Sequence, residues 1–224
     1  MNQIDANSRQ PTEISLDHAE GAFPSDVAFT STVKALQERR GSRPAYHKME
    51  QTRGWHTTIT PELAAFIAER DSAYLATANA VGQPYVQHRG GPKGFIHVLD
   101  DRTLGFADYI GNRQYITTGN LAENDRAFLF LMDYANRRRI KIWGRARIVE
   151  GDADLIAPLM PEGYAAKPEQ AIIFSVAAWD TNCHQHIPRK LDADDVVPAF
   201  EHLQAHVAEL ESENARLRES LARK

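Results

Sequence analysis

The chain has 224 residues, 42% of them apolar and 25% charged, with a net charge of −4. That composition excludes a disordered or fibrous protein, and the length suffices for one substantial core with appended arms. No apolar run approaches the roughly 18 residues of a membrane span, and the lone cysteine, Cys183, excludes an intrachain disulfide framework.

The charge is unevenly spread. Between Val86 and Arg147 there are eleven Lys/Arg against six Asp/Glu, a net of +5, which leaves −9 for the remainder. A basic middle in an acidic chain points to a local anion site rather than a nucleic-acid surface, unless the basic residues merely decorate exposed strand faces. The polar start, Met1 to Gln10, lacks the apolar stretch of a secretory signal. A cytoplasmic protein with no membrane or nucleic-acid partner is expected.

Residues 1–23 are polar and patternless and read as a flexible arm. Pro24-Ser25-Asp26 leads into a helix over 27–40, broken by Ser42-Arg43-Pro44. Residues 24–60 thus form a helical N-terminal extension. Thr60 caps a second helix that Pro61 opens, with Leu63, Phe66 and Ile67 as its apolar stripe.

From Ser72 the period changes. Residues 73–78 and 85–89 form a hairpin across Val81-Gly82-Gln83-Pro84, and 95–99 pairs with 103–107 across Asp100-Asp101. Residues 112–121 are a loop entering a short helix, and 127–132 is an apolar strand. Over 139–149, Ile140, Ile142, Gly144, Ala146 and Ile148 alternate with Lys141, Trp143, Arg145 and Arg147, so one face is buried. A helix over 153–160 and a strand over 171–178 complete a domain spanning 61–192. Many short strands with few helices make the fold mainly β with flanking helices (α+β), a small barrel or sandwich.

The tail, 193–224, differs. Phe200, Leu203, Val207, Leu210, Asn214, Leu217 and Leu221 recur at spacings of three and four and fit heptad a and d positions. Asn214 falls at a, which favours a parallel, in-register pair. A C-terminal coiled-coil helix is expected, the alternative being a helix packed on its own domain.

Four segments carry chemistry. Gln87-His88-Arg89-Gly90-Gly91-Pro92 ends a strand with a cation beside two glycines, a pattern that suits phosphate or carboxylate but also a plain turn. Gly111-Asn112-Arg113-Gln114-Tyr115, followed by Thr117, Thr118, Gly119 and Asn120, brings Arg and amides to a helix start, where free N–H groups favour anions. Arg137-Arg138-Arg139 before Trp143-Gly144-Arg145 reads as a solvated hairpin end. The stretch from Trp179 to Lys190 is dense in polar and aromatic residues, including Asn182, Cys183, His184, Gln185 and His186. Its spacing matches no zinc pattern and Cys183 has no assured base beside it. No metal is expected, and Trp179 reads as the wall of a cofactor pocket.

Over roughly 55–190 the chain resembles the FMN-binding split-barrel domain of the pyridoxamine 5′-phosphate oxidase-like family. The likeness runs through Gly82-Gln83-Pro84, Val86 to Gly91, Leu104-Gly105-Phe106-Ala107-Asp108, Gly111 to Tyr115 and Ile142 to Ala146. It is specific in the combination, not in any one motif. The resemblance implies a split β-barrel binding FMN at a homodimer interface with shared flavin sites. It places Gln87, His88, Arg89 and Gly90 along the flavin, and Asn112, Arg113, Gln114 and Tyr115 at its phosphate. It has Trp143, Trp179, Gln185 and His186 reach across from the partner subunit. It implies an FMN-dependent oxidoreductase passing hydride or electrons between flavin and reduced nicotinamide or a small organic substrate. The alternatives are a non-enzymatic flavin-binding or regulatory dimer, or a barrel that binds F420 or haem. The terminal substrate-binding Arg segment of the oxidase itself is missing, so vitamin B6 oxidation is not expected. No catalytic residue is forced by the sequence; His88 and His186 are candidates for proton delivery.

Overall fold

The computed structural model describes residues 23–181 and 184–223. They fall into two units, a larger one within 1–132 and 139–182 and a smaller one within 133–138 and 183–224. The expected N-terminal arm up to residue 22, and Asn182 and Cys183, lie outside the described residues.

The larger unit opens with a single 3₁₀ turn, Pro24–Val27. Helix α1, Ser31–Arg40, starts where the Thr30 hydroxyl accepts from the Val33 N–H at 3.3 Å, and ends at Gly41 with φ +73°. The sequence reading stops the helical pattern at Ser42-Arg43-Pro44. In the structure a further helix, α2 (Arg43–Thr52), begins there. Pro44 sits in the first turn, where its missing N–H costs nothing. What holds α2 in place is a polar network: Arg43 pairs with Glu50, donates to Gln37 Oε1 at 2.9 Å, and Glu50 Oε1 accepts from Ser25 Oγ at 2.9 Å. All four residues are buried. Helix α3, Pro61–Ala68, forms as expected, with Thr60 capping Leu63 and with Leu63, Phe66 and Ile67 buried.

Seven strands make one open antiparallel sheet: β1 (Ser72–Ala78), β2 (Pro84–Gly90), β3 (His97–Val98), β4 (Thr103–Tyr109), β5 (Arg126–Asp133), β6 (Arg138–Glu150) and β7 (Pro168–Thr181), in the order β2-β1-β5-β6-β7-β4-β3. Helix α4, Ile116–Glu123, joins β4 to β5, and the short α5, Ala153–Ile156, lies between β6 and β7. The architecture is mainly β with flanking helices. Strand β3 is shorter than its apolar run because Phe95 turns back to bond the Pro92 carbonyl, and Phe95 and Ile96 enter the core instead of a ladder. Strand β7 is longer because it pairs along nearly all of β6.

The main core packs α3 against Leu75, Phe106, Leu129, Ile142 and Phe174 from five strands. A smaller cluster, Ala107, Leu159, Ala171 and Ile173, forms on the other side of β4 and β7. Gly144 is required where β6 shifts register: a Cβ there would meet the Ser175 carbonyl and come within 2.6 Å of the Phe174 ring. Trp179 pins the segment before α3, donating its indole N–H to the Thr58 carbonyl at 2.8 Å and stacking on His56 at 4.5 Å.

In the smaller unit the Lys190 ammonium lies 4.5 Å from the centre of the Tyr134 ring. Helix α6, Ala193–Ala222, follows and runs through Pro198. Its 30 residues make a rod of about 45 Å, and all of them are exposed in the single chain. Among the described residues, no helix is long and apolar enough to cross a membrane.

Candidate functional site

A cavity of about 250 Å³ opens in the larger unit where β2, the end of β4, the 111–115 loop, the start of α4 and the start of β7 converge. The pleat decides which β2 residues reach it. Tyr85, Gln87 and Arg89 stand opposite Thr77, Leu75 and Ala73, the buried residues of β1, and so share their face. At this end of the sheet β2 is an edge strand, and α4 covers its inner face. Thr117 Oγ1 donates to Gln87 Oε1 at 2.8 Å, and Asn120 Nδ2 donates to Thr77 Oγ1 at 3.0 Å.

On the opposite wall β4 and β7 shift register at Asp108/Tyr109, and Asp108, Tyr109, Glu169 and Gln170 border the cavity. Asp108 pairs with Arg89 through one oxygen, and its other oxygen accepts from Gln170 Nε2 at 2.8 Å. Gln170 Nε2 also donates to Thr118 Oγ1 at 3.0 Å. Burial pushes the Arg89 guanidinium below its ordinary range, and Asp108 beside it opposes that shift. The Arg89 Nε–H remains buried without a partner, as does the Tyr109 hydroxyl. Arg89 and Tyr109 are both among the residues that line the cavity. Burial also raises the Tyr109 phenol.

The third wall is the loop into α4. Arg113 and Tyr115 hold left-handed backbone at φ +58° and +54°, conformations that cost non-glycine residues about 1–3 kcal/mol each and concentrate at functional sites. The Asn112 side chain accepts from the Gln114 N–H at 3.3 Å and shapes the turn. No side chain caps α4 at Tyr115. The helix therefore presents its first N–H groups and partial positive charge to the cavity beside Arg113. Tyr115 donates its hydroxyl to Glu169 at 2.7 Å, which raises its phenol above the ordinary range.

The cavity thus gathers Gln87, Arg89, Asn112, Arg113, Gln114 and Tyr115 from two segments separated by more than twenty residues. The other expected residues lie elsewhere. His88 is on the outer face of β2, edge-on to Tyr74 at 5.7 Å. Gly90 pairs with Ser72 in the β1–β2 ladder, and the Gly91 N–H is spent on the Asp71 carbonyl, so the two glycines close a turn. Trp143 stacks on Trp55 at 4.5 Å with Lys141 above both rings. Trp179 is fixed by His56 and Thr58. Gln185 and His186 belong to the smaller unit. Among the described residues no cluster of three or more His, Cys, Asp or Glu is placed to hold a metal.

Sequence reasoning gave no role to Tyr85, Asp108, Tyr109, Glu169 or Gln170. Strand parity could have supplied the first, since Tyr85, Gln87 and Arg89 alternate while His88 falls out of step.

A family model described as pyridoxamine 5′-phosphate oxidase matches residues 59–183. No curated protein matches the chain. Among solved structures, HupZ of Group A Streptococcus is 22% identical, with a TM-score of 0.46 over 59% of this chain and 99% of that one. An FMN-binding protein from Syntrophomonas wolfei is 10% identical, with a TM-score of 0.43 over 68% and 97%. HutZ, the haem storage protein of Vibrio cholerae, is 17% identical, with a TM-score of 0.35 over 54% and 89%.

Proposed function

Because the chain belongs to the pyridoxamine 5′-phosphate oxidase family, matched over more than half its length, we propose that the cavity holds FMN and that the protein is a flavin-dependent oxidoreductase. The observation that carries this reading is the convergence of an uncapped α4 N-terminus, Arg113 and the largely buried Arg89 guanidinium on one cavity. FMN asks for such a set: cationic and N–H donors for its phosphate, and mixed donors and acceptors for its polyol chain. Arg113 and the α4 N-terminus take the phosphate. Gln87, Arg89 and Asp108 offer donors and acceptors to the chain. The flat ring asks for an apolar slot, and among the described residues the lining of this cavity is mostly polar. Its volume also falls short of the roughly 300–1,000 Å³ of sites that bury a whole ligand. That shortfall supports a homodimer in which the second copy covers the ring.

Bound FMN supplies a centre that accepts hydride from reduced nicotinamide or a small organic substrate. The chain's own residues bind and orient it, and no acid–base pair is assigned to them. His88, on the far face of β2, delivers no proton into the cavity of its own chain. A cytoplasmic setting, rich in reduced nicotinamide, suits this activity.

The test compares FMN with riboflavin, which lacks the phosphate. Arg113→Ala is expected to weaken FMN by about 1.5–3 kcal/mol, roughly ten- to 150-fold, and to leave riboflavin unchanged. Equal losses for both, or no visible flavin spectrum after reconstitution, refute the assignment and turn the search to F420 or haem. Absence of turnover with reduced nicotinamide or small organic donors by a flavin-loaded protein leaves a non-enzymatic binding role.

A further inference from the structure

The cavity uses nothing from α6, yet this helix carries the largest unexplained apolar feature of the chain. Seven seam positions run from Phe200 to Leu221 at alternating spacings of three and four. The six apolar ones are between 45% and 71% exposed. An apolar stripe left in water along a rod of this length is an interaction surface.

We propose that α6 pairs with α6 of a second copy of this chain as a parallel, in-register, two-stranded coiled coil. Two observations select this occupant and this orientation. The first is Asn214 at an a position. In a parallel pair, a packs against a′, so the two Asn214 amides meet and satisfy each other. In an antiparallel pair, a packs against d′, and Asn214 would face Leu210 of the other helix with its amide unpaired.

The second is charge. Counting heptads from Phe200, Glu213 falls at g and Arg218 at e. In a parallel pair each g residue meets the e residue five positions on in the partner, so Glu213 meets Arg218 twice, flanking the Asn214 layer. Antiparallel pairing instead sets e against e′ and brings Glu211 beside the second Glu211. Self-complementarity of this kind specifies a second copy rather than a foreign helix.

The consequence is geometric: both tails leave on the same side, and the two-fold axis of the dimer runs along the coiled coil. The proposal stands on the tail alone and does not depend on the ligand of the cavity.

The test uses the full chain in a Cys183→Ser background with Leu203→Cys or Leu221→Cys, oxidised through a glutathione buffer. Parallel pairing joins each variant to itself. Antiparallel pairing holds the two copies of residue 203 roughly 27 Å apart and joins the variants only when mixed. Self-linking in both variants is the expected result, and linking only in the mixture overturns the orientation. A sedimenting dimer with no link in any sample overturns tail pairing while leaving a dimer built by the larger unit. Because each cysteine removes a seam leucine, a charge reversal provides a second measurement. Glu213→Arg is expected to weaken association roughly three- to tenfold. Adding Arg218→Glu restores it, since the two residues are not neighbours within one helix. Failure of that rescue likewise overturns the proposal.

Discussion

Replacing Asp108 by Asn should move stability and ligand affinity in opposite directions. Asp108 is the only acidic partner of Arg89 among the described residues, and the two side chains are 13% and 11% exposed. Asn keeps an oxygen that can accept from Arg89 or Gln170 but removes the charge. The full cost of breaking a buried pair is about 3–5 kcal/mol. An acceptor and access to the cavity both remain, so about 2 kcal/mol is expected, read as a lower denaturant midpoint of the ligand-free protein. The ligand feels the reverse. A compact space of 250 Å³ is roughly 8 Å across. A newly uncancelled unit charge at that range attracts a phosphate by about 2 kcal/mol at an effective dielectric near 20. Salt reduces this, leaving FMN bound roughly five- to thirtyfold more tightly, and riboflavin, which keeps the polyol chain but has no phosphate, tightened far less. Denaturation of the apo protein and fluorescence titration at two salt concentrations measure both arms. A weaker FMN complex, or equal tightening for riboflavin, would refute the idea that Asp108 cancels Arg89 and leaves the phosphate to Arg113.

Three further substitutions probe the scaffold. Gly144→Ala drives a methyl group into the Ser175 carbonyl and the Phe174 ring, and urea unfolding should show a loss of about 1–3 kcal/mol or an insoluble protein. Glu50→Gln leaves Arg43 buried without its counter-ion, for a loss of about 3 kcal/mol seen as a lower Tm and, in limited proteolysis, an early cut within 24–60. Asp180 has a carboxyl raised above its ordinary range by burial, with Lys141 opposing at 3.6 Å. A carboxyl whose folded pKa is raised is most favourable to folding when protonated, and that benefit disappears as pH rises through its folded pKa. Asp180→Asn should therefore raise the unfolding midpoint at pH 7, and the gain should vanish below about pH 4.

What the sequence disclosed followed the range of the interactions. Alternation in 139–149 and the Thr60-Pro61 start predicted β6 and α3 because both signals are local. So are the Gly111–Tyr115 loop and its helix, which is why the sequence places Arg113 at the start of α4. Helix α2 escapes the sequence reading because Ser42-Arg43-Pro44 reads as a break, while Arg43 and Glu50 reach Gln37 and Ser25 through a network assembled only in space. Gln170 and Asp108 were invisible for the same reason: 62 residues separate them, and the β4–β7 register alone makes them partners. Trp179 stands out by composition, and the structure adds what composition does not carry: its indole N–H donates to Thr58 and its ring stacks on His56.

The cavity and the tail meet in one argument about concentration. If the cavity holds the polar part of FMN and a second copy covers the ring, as proposed, dimerisation and flavin binding are linked. A tail that pairs in parallel holds the two larger units at a raised effective concentration, so flavin retention would track dimerisation. Serial dilution of FMN-loaded protein, followed by the return of free-flavin fluorescence, reads this directly. Release should begin near the dissociation concentration of the dimer and, in Glu213→Arg, at a concentration roughly three- to tenfold higher. If Glu213→Arg dissociates earlier by sedimentation yet releases FMN at the same dilution as the unaltered chain, each chain holds its flavin alone, and the shared site is wrong even though the coiled coil is right.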